Sequence, residues 1–299
     1  MSRIHEALKK AEQERAAIQG SPVLAPVYAD GSVAAATLPA PADPGFSTFN
    51  SPMDAELMAR SVELKWNPEP GTMLFLNGDE GARGTEEFRT LRSRLYHLRE
   101  KMTLKKLLIT SALPKEGKSF TSSNLAQVLV RQHGRRALLI DADLRAPRLH
   151  MMLGTTNEPG LSDYLSGTKD EFSIMQRGPL ENLFFIPSGT AASNPAELIG
   201  NGRLKNLLQR VEPLFDWIIV DSPPAIPVSD ASVLAKACDG ILIVVRSNST
   251  PFDVARKARQ EFPEECLVGV VLNGTSESAP PYARYYYESY QKKPTVTKN

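Results

Sequence analysis

The chain has 299 residues, with 35 Lys and Arg against 34 Asp and Glu, for a formal net charge of +1. That balance gives no electrostatic case for nucleic acid as a partner or for a strongly anionic membrane. A hydrophobic fraction of 41% suits a protein that buries a real core, and the two isolated cysteines, Cys238 and Cys266, argue against a disulfide framework or a zinc site. No apolar run approaches the roughly 20 residues of a membrane span. The charged start MSRIHEALKK lacks the apolar stretch of a secretion signal. The expectation is a cytoplasmic protein that reaches the inner face of the membrane only through a partner.

Residues 1–19 read as an amphipathic helix, with Ile4, Ala7, Leu8 and Ala11 at helical spacing. So narrow a stripe fits a solvated terminal helix as well as a docking element. Residues 20–71 are rich in Ala, Pro, Ser and Gly, a linker composition. A folded domain is expected over 72–278. It begins with the apolar run 73–76 and a helical stretch over 86–101. Apolar strands are then predicted at 106–110, 137–140, 183–186, 217–220, 240–245 and 267–272, with amphipathic helices at 121–133, 201–211 and 229–237 between them. Continuous apolar strands alternating with helices imply a doubly wound α/β fold, its mainly parallel sheet covered on both faces. Residues 279–299 are expected to form a polar, flexible tail.

The strand at 106–110 runs into Ser111-Ala112-Leu113-Pro114-Lys115-Glu116-Gly117-Lys118-Ser119, with Phe120 and a helix following. This is the strand–loop–helix setting of a phosphate-binding P-loop. Residues 114–120 form the cradle: the backbone N–H groups after Pro114 and the helix dipole face the phosphates, Gly117 lets the backbone turn, Lys118 reaches the β/γ-phosphates, and Ser119 belongs in a Mg²⁺ shell. ATP and Mg²⁺ are therefore the expected ligands. Ala112 stands where the strict motif has its first glycine, which is compatible if that residue keeps a negative φ.

Two acidic sites end predicted strands, where open α/β sheets place ligands. Val220-Asp221-Ser222-Pro223-Pro224 has the Walker B form, and Asp221 is expected to share the metal with Ser119. Asp141, in Ile140-Asp141-Ala142-Asp143-Leu144-Arg145, is placed to accept the proton of an attacking hydroxyl or to order metal water, with Asp143 its companion on the same loop. With Lys118 they make the candidate catalytic set. Arg145 suits either a phosphate contact or a surface salt bridge.

Taken together these boxes resemble those of bacterial tyrosine kinases: 113–119 is similar to their Walker A, Asp141-x-Asp143-x-Arg145 to their Walker A′, and 220–224 to their Walker B. The stretches 160–165 and 194–198 are also similar, and the likeness covers about residues 84–290. The resemblance implies the P-loop fold of the MinD/ParA type. In MinD/ParA ATPases a signature lysine follows the first glycine of the loop; Leu113 has that place here, which favours the kinase branch. Asn273 resembles an asparagine that meets adenine in those ATPases, although a bare Asn ending a strand also suits a turn. Glu86, Arg89 and Arg92 match the family's Glu-x-x-Arg-x-x-Arg helix, which the resemblance implies packs against a neighbouring subunit in a ring.

Five of the eight tyrosines, Tyr282, Tyr285, Tyr286, Tyr287 and Tyr290, crowd the tail. The resemblance implies that they are the acceptors of autophosphorylation in trans. It also implies a transmembrane activator of the polysaccharide co-polymerase type and a role in capsular or exopolysaccharide polymerisation and export; because phosphates would turn the tail strongly anionic, a tyrosine phosphatase is expected to reset it. The rival reading is a MinD/ParA-like positioning ATPase, which hydrolyses ATP without producing phosphotyrosine and gives the tail cluster no purpose.

Overall fold

A computed structural model describes residues 51–76, 84–132 and 134–275. The expected helix over 1–19, most of the expected linker and the five tail tyrosines lie outside the described residues. The composition of residues 51–71 predicts linker, but the structure folds them onto the sheet. Ser51 caps helix α1 (Pro52–Arg60) in a reciprocal box: its hydroxyl accepts from the Asp54 amide, and the Asp54 carboxylate accepts from the Ser51 amide. Asp54 also pairs with buried Arg136 at 2.8 Å, and Leu57 is fully buried. A two-residue strand, β1 (Val62–Glu63), follows. A nine-residue helix with one buried leucine has too little apolar content to stand out from an Ala/Pro-rich flank.

The remaining elements in chain order are α2 (Thr85–Arg99), β2 (Lys106–Ser111), α3 (Lys118–Val130), β3 (Ala137–Asp141), α4 (Leu149–Leu153), α5 (Leu161–Ser166), β4 (Gln176–Arg177), β5 (Leu183–Ile186), α6 (Pro195–Gly200), α7 (Arg203–Val211), β6 (Trp217–Asp221), α8 (Asp230–Ala235), β7 (Gly240–Arg246), α9 (Phe252–Gln260) and β8 (Leu267–Asn273). The sheet order is β1-β4-β5-β3-β6-β2-β7-β8, parallel throughout except at β4–β5. Alternation along each strand splits the apolar residues between two cores. Leu138, Ile140, Ile218 and Val220 face the helices α5 to α9. Ala137, Leu139, Trp217 and Ile219 face α2 and α3. Both faces are covered, so the strands read as unbroken apolar runs.

Helix α3 runs through the middle of the second core, and its polar residues are buried with it. Asn124 and Gln127 accept from the amides of Leu74 and Phe75, which ties the run 72–76 down as a turn on α3. Ser122 shares its one hydroxyl proton between the Lys118 carbonyl and Asp221 Oδ1. Among the described residues no helix is long and apolar enough to cross a membrane.

Leu57→Ala tests whether residues 51–71 belong to the folded body. Truncating a fully buried leucine should cost about 2–5 kcal/mol, read as a lower urea midpoint with an unchanged slope. An unchanged midpoint would return α1 to the linker.

Candidate active site

Strand register assembles the acidic half of the site. β3 and β6 are neighbours, and their parallel register sets Asp141 directly beside Asp221. β2, on the other side of β6, ends at Ser111 and feeds the turn 112–117 into α3. Ala112 avoids the left-handed region, so it serves in the glycine position without strain. That region is entered instead at Lys115 (φ 66°) and Gly117 (φ 98°). At Gly117 an added Cβ would lie 2.0 Å from the Asn273 side-chain nitrogen, so glycine is required there. No side chain caps α3, which leaves its first-turn N–H groups for an anion.

Lys118 Nζ donates to Asp143 Oδ2 at 2.8 Å and stands 3.8 Å from Asp221 Oδ2. Ser119 donates its hydroxyl to Asp221 Oδ2 at 2.6 Å, and Ser122 donates to Oδ1 at 3.0 Å. Asp141 lies behind this pair, fully buried, accepting the backbone N–H groups of Asp143 at 3.2 Å, Arg148 at 3.2 Å and Leu149 at 3.0 Å. Three carboxylates thus share one ammonium. Burial, then the charge of Asp221, pushes the Asp141 carboxyl up to about 7. Burial also raises Asp221, against the pull of Lys118 and the two serines. Burial alone would lower Lys118, but Asp221 and Asp143 hold it above its ordinary value.

The group opens onto a cleft of about 530 Å³ whose walls include Pro114, Lys118, Ser119, Asp143 and Arg148. Lys115, Gly117 and Phe120 line it too; Phe120 also borders a second cleft of about 560 Å³, which contains Asn273. Glu116 does not face either cleft. Its buried carboxylate accepts the Leu113 amide at 2.6 Å and the Thr250 hydroxyl. Arg145, left open by the sequence, makes a two-pronged bond to buried Asp230 at 2.7 and 3.0 Å. On the same lip, exposed Arg148 has no ion-pair partner among the described residues.

On α2, Glu86 pairs with Arg89, whereas Arg92 donates to the Val128 carbonyl of α3 at 3.0 Å and so braces its own subunit. Tyr164 is buried, and Tyr96 accepts from the Trp217 indole at 3.1 Å in an edge-on ring contact. Sequence reasoning missed Ser122, Arg148, Asp230 and Thr250. Ser122 carried a faint signal, three residues beyond Ser119 on the helix that follows the loop; the others are joined to the site only by folding.

The fold and site define a P-loop nucleotide-binding protein of the MinD/ParA type. A family model described as "AAA domain" matches residues 115–253. The tyrosine-protein kinase YwqD of Bacillus subtilis is 34% identical over 204 residues, 68% of this chain and 86% of that protein. The kinase domain of the Escherichia coli tyrosine kinase ETK superposes with a TM-score of 0.63 at 33% identity, over 69% of this chain and 81% of its own. The septum site-determining protein MinD of Pyrococcus horikoshii, complexed with Mg-ADP, reaches a TM-score of 0.50 at 21% identity over 60% of this chain and 76% of its own, a likeness of fold alone. The chain belongs to the bacterial tyrosine-protein kinases, and the positioning-ATPase reading is set aside.

The buried carboxylates give the ligand-free fold a pH dependence. The folded state keeps a proton on Asp141 up to about pH 7, where the unfolded chain has released it above 3.8. Stability therefore falls as pH rises through that window. The melting temperature without nucleotide should drop between about pH 4 and pH 7, and Asp141→Asn should flatten part of the drop. Parallel profiles for the two proteins would clear Asp141 of this role.

Proposed function

We propose that the chain transfers the γ-phosphoryl group of ATP to tyrosines of its own tail, in trans. The observation that carries the reading is the joining of Lys118, Ser119, Asp143 and Asp221 by short polar contacts at the start of α3. This is a site built to hold phosphate and a hard cation. Ser119 and Asp221 fit Mg²⁺: both offer oxygen, both converge on one spot, and the excess of carboxylates over Lys118 favours a divalent ion. Bound there, Mg²⁺ would supply charge neutralisation to the β- and γ-phosphates.

The chain's own groups divide the remaining work. The backbone N–H groups of residues 115–120 and the Lys118 ammonium orient the phosphates, and Phe120 and Asn273 border the space for the base. Asp143, on the cleft wall, accepts the phenolic proton as the tyrosine oxygen bonds to phosphorus and ADP leaves. Asp141 fixes the 143–149 turn through its three backbone contacts. Arg148 takes the phosphate-facing role for which Arg145, held by Asp230, is no longer available.

The packing of Tyr96 and Tyr164 into the body supports the tail, which holds five of the other six tyrosines, as the acceptor. The kinase body then runs from about residue 51 to 278. Glu86 and Arg89 contact a neighbouring subunit in a ring, with Arg92 anchoring their helix to α3. A transmembrane co-polymerase-type partner recruits the chain to the inner membrane face and activates it. A phosphatase resets the tail, and the cycle regulates capsular or exopolysaccharide polymerisation and export.

Lys118→Met should abolish ATP binding and phosphotyrosine together, since the β/γ charge loses its main cation in a poorly screened site. Self-labelling at the wild-type rate would remove the loop from the mechanism. Replacing Tyr282, Tyr285, Tyr286, Tyr287 and Tyr290 by Phe should leave ATP affinity intact and eliminate nearly all self-labelling, measured by anti-phosphotyrosine blotting. Label mapped to Tyr96 or Tyr164 would reject the tail as acceptor.

A further inference from the structure

We infer that Asn273 and Thr250 are positioning residues that lock the phosphate loop in its anion-binding shape. This rests on the reading of residues 112–119 as the phosphate loop. It assigns Asn273 a task other than reading the base.

Three contacts reach the loop from the ends of β7 and β8. Asn273 Nδ2 donates to the Glu116 carbonyl at 2.9 Å. Arg246 Nη1 donates to the Lys115 carbonyl at 3.1 Å. The Thr250 hydroxyl donates to the Glu116 carboxylate, whose other oxygen accepts the Leu113 amide across the turn. The two strand ends are themselves joined, since the Ser247 amide donates to the Asn273 carbonyl at 2.8 Å. The result is a closed frame of loop, β7 end and β8 end.

The bonds fall where the loop needs them. Lys115 and Gly117 are the left-handed residues of the turn, and the bonded carbonyls belong to Lys115 and to Glu116 between them. A lysine at φ 66° is disfavoured in isolation, so the surroundings must hold it. Asn273 lies so close that no side chain fits at Gly117. One N–H of the Asn273 amide is given to the loop, which leaves its second N–H and its side-chain oxygen for other partners. A preformed loop binds phosphate without first ordering itself, which raises affinity for any ligand that fills it.

The test measures binding of ATP, GTP and inorganic tripolyphosphate by the full-length chain, using calorimetry with Mg²⁺ present. Asn273→Ala and Thr250→Val should each weaken all three ligands by a similar factor, about 10-fold for one bond lost to a charged or strained partner. Thr250→Ser, which keeps the hydroxyl, should restore binding. The ligand-free melting temperatures should stay near wild type, which separates loop ordering from global destabilisation. If Asn273→Ala weakens ATP but leaves tripolyphosphate unchanged, Asn273 reads the base and the positioning role is wrong. Thr250→Val binding tripolyphosphate as wild type does would overturn the frame. A wild-type chain that binds none of the three would overturn the phosphate-loop reading itself, a distinct result.

Discussion

The register of β3 against β6 is the constraint on which the rest of the site depends. It brings the carboxylates of Asp141 and Asp221 to the ends of adjacent strands, both wholly buried. Like charges in that position raise each other's proton affinity and would drive the strand ends apart if left uncompensated. Compensation comes from several directions. Lys118 enters from α3, two serine hydroxyls meet Asp221, and the turn after β3 curls so that three backbone N–H groups meet Asp141. The start of α3 and the 143–149 turn both serve to settle this pair.

Much of this was legible in the sequence because the central strands are buried on both faces. Strands such as 183–186 and 217–221 carry no polar residue before their last position, so their positions read directly as apolar runs. The loop and its acidic partners were legible for a related reason: their chemistry demands particular residue types at strand ends. What escaped was structure whose cause is tertiary. β4 is Gln176–Arg177, two polar residues made a strand by antiparallel pairing with Phe184 and Phe185 on one side and parallel pairing with Val62 and Glu63 on the other. α1 is helical because of a capping box and one leucine docked in the core. The partners Asp230 and Thr250 stand 85 and 134 residues from the side chains they hold, and no local pattern carries such a link.

The charged face of α2 shows why spacing alone does not assign a surface. Glu86, Arg89 and Arg92 recur every three residues, which puts them broadly on one side of a helix. Yet Arg92 reaches the last turn of α3 while Glu86 and Arg89 pair with each other. A guanidinium near a helix C-terminus meets both unsatisfied carbonyls and the negative end of the dipole. That contact ties α2 to the last turn of the helix that begins at Lys118.

The place of β2 in the sheet bears on how the protein is made. It lies between β6 and β7, so Leu107 pairs with Ile219 on one side and Gly240 on the other, more than a hundred residues away along the chain. On a ribosome, the segment that will hold phosphate emerges long before either neighbour exists. Its apolar strand must wait for the second half of the polypeptide before it is covered. Such non-local pairing slows folding and leaves a sticky edge exposed during synthesis. A nascent chain stalled short of about residue 246 would therefore be a natural client for chaperones and a poor one for nucleotide.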